Sequence, residues 1–282
     1  MSDALTAVSA KSSQARGPLA GQVAFVSGSG RGLGHTIGRA LMALGADLAL
    51  HDISEDAPAK YGEFPNLTAV ADSMAAGGAR AVAVTGDISQ EAAVQAMVAK
   101  AEAALGPITI LVNCAGGDIG AQGGKPDPNT ALKFHLDDVQ AIVNRNLIGS
   151  MLMSRAVAPG MADRRAGSII NITTVSAHMG AANETAYACA KAAVVHYTRC
   201  LAAELRTSGV RVNAVSPGPA KTARFLATRT VDPAMMEEGP SLNRYAVAEE
   251  IADVVGFLAS GEARFVSGQV IRVDGGANLF AA

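Results

Sequence analysis

From Gln22 onward, short apolar runs rich in β-branched residues alternate with longer stretches in which apolar positions recur every three or four residues. The runs fall at 23–27, 47–51, 81–85, 108–113, 168–172, 210–215 and 270–273, and each predicts a strand. The longer stretches predict helices over 34–44, 67–76, 91–104, 136–161, 185–205 and 248–259. Strand–helix alternation with nearly continuous apolar strands reads as a sheet buried on both faces. Right-handed crossovers then give an α/β fold: a doubly wound parallel sheet of the Rossmann type, about seven strands with helices on both faces.

Three connections exceed what such a sheet needs: 54–65, 117–133 and 219–244. The last is long enough to close as a substrate lid. No composition shift marks a second domain, so 19–282 is read as one unit. Residues 1–18 are Ser/Ala-rich without the apolar stretch of a secretory signal, and are read as a disordered arm.

Composition narrows the function classes. Of 282 residues, 49% are apolar and 17% charged, enough for one large core. A net charge of −2 without a long basic run gives no electrostatic grip on nucleic acid or an anionic membrane. No apolar run reaches membrane-spanning length. The three cysteines, Cys114, Cys189 and Cys200, form no C-x-x-C pair, and the five histidines are scattered. No metal site or disulfide framework is expected, and reduced thiols point to the cytoplasm.

The first strand runs through Ser27-Gly28-Ser29-Gly30-Arg31-Gly32-Leu33-Gly34 directly into a helix. A phosphate needs backbone N–H groups at close range and the positive end of a helix, and glycines clear the approach. Such a loop can also be a bare strand-to-helix turn; the flanking elements and a downstream carboxylate favour the nucleotide. Asp52 closes the second strand 20 residues past Gly32, where a carboxylate takes a ribose 2′-OH and repels a 2′-phosphate. NAD is the cofactor this predicts. Arg31 is the opposing signal, because a base in the loop can meet a 2′-phosphate.

Tyr187 and Lys191 stand at i and i+4 on an apolar helix and share one face. Lowering a phenol from its usual pKa by about three units requires roughly 4 kcal/mol. One ammonium about 4 Å away, at an effective dielectric of about 20, supplies about that much. The pair is therefore expected to be an acid/base that takes a proton from an alcohol as hydride leaves, and returns it during reduction.

Four motifs in order resemble those of the short-chain dehydrogenases/reductases, over about residues 20–282. Ser27-Gly28-x3-Gly32-x-Gly34 is similar to their T-G-x3-G-x-G, Asn113-Cys114-Ala115-Gly116 to N-N-A-G, Tyr187-x3-Lys191 to Y-x-x-x-K, and Asn213-x3-Pro217-Gly218 to N-x-x-x-P-G. The resemblance implies an NAD-dependent oxidoreductase interconverting a secondary alcohol and a ketone or aldehyde. Its catalytic residues would be Tyr187 and Lys191, with Thr174 in place of the family's substrate-binding Ser, thirteen residues before the Tyr. Thr keeps the hydroxyl, but its branching restricts χ1. Ser176 is a weaker substitute. Asn146 matches a helix Asn that holds a water linking the Lys to bulk.

Cofactor contacts carry over to Gly28, Ser29, Arg31, Gly32, Leu33 and Gly34 in the loop, and to Asp52 and Ile53 after the second strand. Asp87 and Ile88 would meet the adenine, and Asn113, Ala115 and Gly116 would line the fourth strand's end. Pro217, Gly218 and Ala220 would lie near the nicotinamide, with Thr222 on its amide. Cys114 and Cys189 read as small buried thiols rather than nucleophiles. The family implies a homotetramer, with 136–161 and 185–205 at one interface and the 268–276 edge at another. The 54–65 insertion resembles a branch that holds its nicotinamide tightly and passes electrons to another carrier.

Ligands of doubly wound sheets lie beyond the carboxyl ends of the strands, here among 117–133, 177–184 and 219–244. These segments offer Asp118, Gln122, Lys125, His178, Lys221, Arg224, Arg229 and Arg244. Such walls predict a small oxygenated substrate, a sugar-derived polyol or hydroxy acid. Phe225, Leu226, Met235 and Met236 offer an apolar pocket instead. Two further readings stay open. A 3-oxoacyl thioester reductase using NADPH is opposed by Asp52. A catalytically silent dinucleotide-binding regulator is opposed by the Tyr187, Lys191 and hydroxyl set.

Overall fold

Seven parallel strands lie in the order β3-β2-β1-β4-β5-β6-β7 in the computed structural model, which describes residues 17–76, 78–237 and 239–279. They are β1 (Val23–Val26), β2 (Asp47–Asp52), β3 (Ala81–Thr85), β4 (Ile110–Asn113), β5 (Gly167–Ile172), β6 (Val210–Pro217) and β7 (Val270–Val273). The chain winds from β1 out to β3, returns to β4 beside β1, and winds the other way to β7. That reversal opens a crevice above the carboxyl ends of β1 and β4. The doubly wound sheet expected from the sequence is the observed one, with strand ends within two residues of the predicted ones.

Successive strand side chains face opposite ways and divide the core in two. Ala24, Val26, Leu48, Leu50, Ile110, Val112 and Ile170 pack under α1 (Gly32–Ala43), α2 (Leu67–Ala75) and α8 (Ala248–Ala259). Val23, Phe25, Ala49, Leu111, Ile169 and Val212 pack under α3 (Glu91–Leu105), α5 (Gly149–Asp163) and α6 (Thr185–Leu205).

The predicted 136–161 helix is instead two helices, α4 (Leu136–Val143) and α5, joined by a π-helical turn at Asn144–Ile148. Asn146 causes the interruption. Its Nδ2 donates to Ile142 O at 2.8 Å, a carbonyl four residues back that a helix interior would use. The 219–244 connection holds a short helix, α7 (Ala223–Thr228), capped by Thr222 Oγ1 accepting from Phe225 N at 3.2 Å. The 54–65 connection holds a 3-10 turn at Ala57–Tyr61.

Of the predicted N-terminal arm, residues 1–16 lie outside the described residues. Gly17 and Pro18 lead into Leu19, which is buried and donates its N–H to Leu44 O. Among the described residues no helix is long and apolar enough to cross a membrane, and no His, Cys, Asp and Glu group could hold a metal ion.

Candidate active site

The glycine loop is fastened from below. Ser27 Oγ accepts from Cys114 N and Ala115 N at 3.0 and 3.1 Å, joining the end of β1 to that of β4. His51, buried on β2, takes Gly28 N on Nδ1 at 3.1 Å and places Nε2 2.9 Å from Gly86 O. Burial lowers its pKa, so the ring is neutral and donates from Nε2. Ser29 departs from the expected cofactor contact. Its hydroxyl is turned inward, donating to Val26 O at 2.8 Å and accepting from His51 N at 3.0 Å. Gly34 allows close packing, because a Cβ there would collide with Gly28 O. Gly32, at φ +54°, faces open room: its Cβ position meets nothing nearer than Thr222 Cβ at 3.9 Å.

At the outer end, Asp52 Oδ1 accepts from Ile53 N at 2.8 Å, and Oδ2 lies 2.7 Å from where a Cβ on Gly30 would stand. Its carboxylate therefore lies against the loop, which a side chain at residue 30 would block. Asp87 and Ile88 line the same end. The 54–65 segment folds across as a strap. Glu63 Oε2 accepts from Gly32 N at 2.9 Å, and the Arg31 guanidinium donates to Ala57 O and stacks 5.3 Å from the Tyr61 ring centroid. Sequence reasoning missed Lys60, Tyr61, Glu63 and His51 as lining residues. These are single long-range polar contacts, which leave no periodicity; the unusual length of 54–65 was the only signal.

One cleft of about 450 Å³ runs from this loop to Thr174, Tyr187 and Lys191, and is lined also by Ile53, Ala115, Gly116, Pro217, Gly218, Ala220 and Thr222. Lys191 is buried, with Nζ donating to Ile172 O at 2.8 Å and standing 5.9 Å from the Tyr187 ring centroid. Burial lowers its pKa to about 8. Burial also pushes the Tyr187 phenol up to about 12, Glu184 adding to the rise while Arg224 and Arg229 oppose it. The phenol depression expected from Lys191 is thus not what these side chains produce, because desolvation dominates both groups.

Thr174 Oγ1 accepts from Ser176 N at 3.4 Å, and its own proton remains for the cleft. Ser176 Oγ donates to Glu184 Oε1, whose other oxygen takes Arg229 at 3.0 Å. Ser176 is therefore committed, and Thr174 is the better placed hydroxyl. Asn146 sits behind the cleft wall, with Oδ1 accepting from Gly117 N at 2.9 Å and Nδ2 donating to Gly117 O at 3.0 Å. A Cβ on Gly116 would lie 2.5 Å from Asn146 Oδ1 and 3.2 Å from Lys191 Nζ, so that glycine separates the two. Asn113 also departs from the expected contact. Its Nδ2 turns inward to Asn171 Oδ1 at 2.8 Å and Ser154 Oγ at 3.1 Å, bracing β4 against β5 and α5.

Of the expected substrate walls, Asp118, Lys125, Arg224, Arg229 and Phe225 line cavities at the Tyr187 end. Arg244 pairs instead with Glu250 at 2.6 Å, and His178 Nε2 lies 3.0 Å from Ser216 Oγ. Cys114 is no thiolate, since burial pushes its thiol up to about 12, whereas Cys189, expected to be buried, is exposed on α6.

A doubly wound sheet with a glycine-loop crevice and a Tyr–Lys pair at its far end is the layout of a nicotinamide-dependent oxidoreductase. A family model described as enoyl-(acyl carrier protein) reductase matches residues 28–278, and the chain belongs to the short-chain dehydrogenase/reductase family. It is accordingly an oxidoreductase acting on CH–OH groups with a nicotinamide dinucleotide. It is 35% identical over 266 residues to 2,3-dihydroxy-2,3-dihydro-p-cumate dehydrogenase of Pseudomonas putida, covering 93% of this chain and 96% of the relative. It is 33% identical over 266 residues to a 3-oxoacyl-[acyl-carrier-protein] reductase of Synechocystis, covering 93% and 99%. A crystal structure of a putative gluconate dehydrogenase from Agrobacterium tumefaciens superimposes with a TM-score of 0.80 at 25% identity, covering 93% of this chain and 98% of that one.

Proposed function

We propose that the protein is an NAD(H)-dependent dehydrogenase that interconverts a secondary alcohol and a ketone or aldehyde on a small oxygenated molecule, a polyol or hydroxy acid. One observation carries this: the phosphate loop with Asp52 and the Thr174, Tyr187 and Lys191 set lie at opposite ends of one cleft. The residues fit a dinucleotide. Gly32 leaves a cradle that any Cβ would begin to fill, and cleft volume suits a ligand of that size. Asp52 supports NAD over NADP, since its carboxylate repels a 2′-phosphate. Arg31, the opposing base, is turned onto Tyr61 and Ala57 O.

When bound, the dinucleotide supplies the hydride acceptor or donor and, in its oxidised form, a positive charge. The chain supplies the proton chemistry. Thr174 Oγ1 donates to the substrate oxygen and orients it. Tyr187 Oη gives that oxygen a proton during reduction, and with its phenol pushed up to about 12 it starts protonated. In oxidation the same oxygen must take the proton, so a nearby positive charge is needed to bring the phenol down. Lys191 is protonated at neutral pH, and two of its three N–H groups remain after Ile172 O.

The relatives support an alcohol dehydrogenase without fixing the substrate: one is named for a dihydrodiol, another for a 3-oxoacyl thioester. The charged walls near Tyr187 favour the small polar substrate over an acyl chain. A cytoplasmic homotetramer is part of the proposal. Exposed Leu136 on α4, the exposed Cys189 and Cys200 on α6, and the β7 sheet edge supply the contact surfaces, and light scattering would measure the mass. Initial rates with NAD⁺ and NADP⁺ over an alcohol panel test the activity. Tyr187→Phe should abolish turnover while dinucleotide affinity stays within a few-fold. Retention of more than a few per cent of wild-type kcat overturns the assignment.

A further inference from the structure

A second cavity of about 330 Å³ opens beside Tyr187, between the 117–133 connection, the strap and α7. No glycine of the phosphate loop lines it, and it shares Tyr187, Thr222 and Arg224 with the main cleft, so it continues that cleft past Tyr187 and leaves room there for a substrate. Its wall carries Lys60, Lys125, Arg224 and Arg229 against one carboxylate, Asp118.

The charges are not equally available. Arg229 is paired with Glu184 at 3.0 Å. Asp118 is buried, both its oxygens take Asn129 Nδ2, at 3.0 and 3.1 Å, and burial raises its pKa while Asn129 and Lys125 oppose the rise; its carboxylate is thus engaged within its own connection and does not pair with Arg224. Arg224 has no carboxylate partner among the described residues; its single hydrogen bond runs from Nη1 to Gly116 O at 3.2 Å. The guanidinium lies against Gly117, where φ is +131° and a Cβ would collide with it. Glycine there gives the fork its place in the cleft.

We propose that Arg224 anchors a substrate carboxylate, which makes the substrate a hydroxy acid and not a neutral polyol. The proposal rests on the dehydrogenase reading above. A planar guanidinium with one N–H engaged keeps four donors, and two of them can take both oxygens of a carboxylate in parallel. Lys60 and Lys125 add a field that concentrates anions at the cavity mouth. Because Arg224 rides on α7, the anion also draws that helix onto the substrate, so binding energy remote from the reacting carbon holds the site closed.

Steady-state kinetics of the full-length protein with NAD⁺ test this on matched pairs: gluconate and gluconamide, 3-hydroxybutyrate and 3-hydroxybutyramide, mandelate and mandelamide. In the wild type kcat/KM should favour the acids by about 10²-fold, the scale of a charge-assisted bidentate contact. In Arg224→Gln that ratio should fall toward one, read within the variant itself because Arg224 also acts on Tyr187 and can change the rate on acid and amide alike, and Arg224→Lys should keep part of it. NADH affinity, read by fluorescence, should stay within a few-fold in both variants, which also reports that they fold. Equal use of acids and amides by the wild type overturns the proposal while leaving the dehydrogenase of small oxygenated substrates intact. A loss of NADH affinity in Arg224→Gln as large as the loss on acids also overturns it, because the arginine then holds the cofactor. Turnover of 2-decanol or cyclohexanol with every oxygenated probe inert sinks the underlying reading as well. If no probe turns over, calorimetry on the NADH-loaded wild type decides: mandelate binding more tightly than mandelamide supports the proposal, and failure of all three acids to bind refutes it.

Discussion

Replacing Lys191 with Met should stabilise the cofactor-free protein at neutral pH while ending its activity. Lys191 is almost wholly buried, and burial lowers its pKa from 10.5 to about 8. At about 1.4 kcal/mol per unit, holding the charge there at pH 7 costs about 3 kcal/mol relative to the unfolded chain. Met has similar length and no charge. Its loss is the hydrogen bond to Ile172 O, about 1 kcal/mol. The variant should therefore be more stable by about 2 kcal/mol at pH 7, a rise of a few degrees in Tm for a chain of this size. The sign with pH is fixed by proton counting. Between about 8 and 10.5 the unfolded chain holds more protons at Lys191 than the folded one, so wild-type stability rises with pH and the variant's advantage shrinks. Cys114 and Tyr187, both pushed up to about 12, titrate in the opposite sense but are present in both proteins, so they largely cancel in the difference. Urea melts at pH 7, 8.5 and 10 measure the stability, and NADH absorbance measures turnover, which should fall by about 10²-fold or more. A variant less stable than wild type at pH 7, or a difference that stays flat from pH 7 to 10, would refute the reasoning.

Asp52→Ala or Asp52→Ser should raise kcat/KM with NADP(H) by roughly tenfold or more, because a like charge at the ribose is removed; equal use of both cofactors by the unmodified protein would contradict the role given to Asp52. Thr174→Ser should stay active and Thr174→Ala should lose roughly 10²-fold in kcat, the scale for a positioned donor to the reacting oxygen. Wild-type rates in Thr174→Ala would move that task to Ser176 or a water.

What the sequence discloses about this fold is what repeats along the chain. The unbroken apolar run Val23–Val26 announces a strand buried on both faces, and the four-residue spacing of Ile37 and Leu41 announces a helix, so the elements and their layering are legible. The π-helical turn is not, because Asn146 capturing Ile142 O leaves 136–161 apolar and helical in pattern. The candidate site divides the same way. Tyr187 and Lys191 are tied by helical spacing, and Asp52 by its distance from the loop. Ser29 and Asn113 sit at motif positions, yet each meets buried polar partners from elsewhere in the chain and turns away from the cleft. Arg244 and His178 read as wall residues until Glu250 and Ser216 are brought beside them. Glu63 on Gly32 N is the same kind of contact, made by a segment whose only legible property is excess length.

The imidazole of His51 has a consequence for how tightly a nucleotide can be held. A chain segment with glycine at 28, 30, 32 and 34 would wander when nothing is bound, and arresting each residue's backbone requires about 1–2 kcal/mol of entropy. Here Gly28 N is bonded to His51 Nδ1, Ser29 is bonded to the His51 backbone in both directions, and the ring's far nitrogen reaches Gly86 O. The loop is thus arrested at the moment the protein folds, by a side chain from the neighbouring strand. Its entropy loss is charged to folding and not to association, and the incoming ligand meets a mould that has already set.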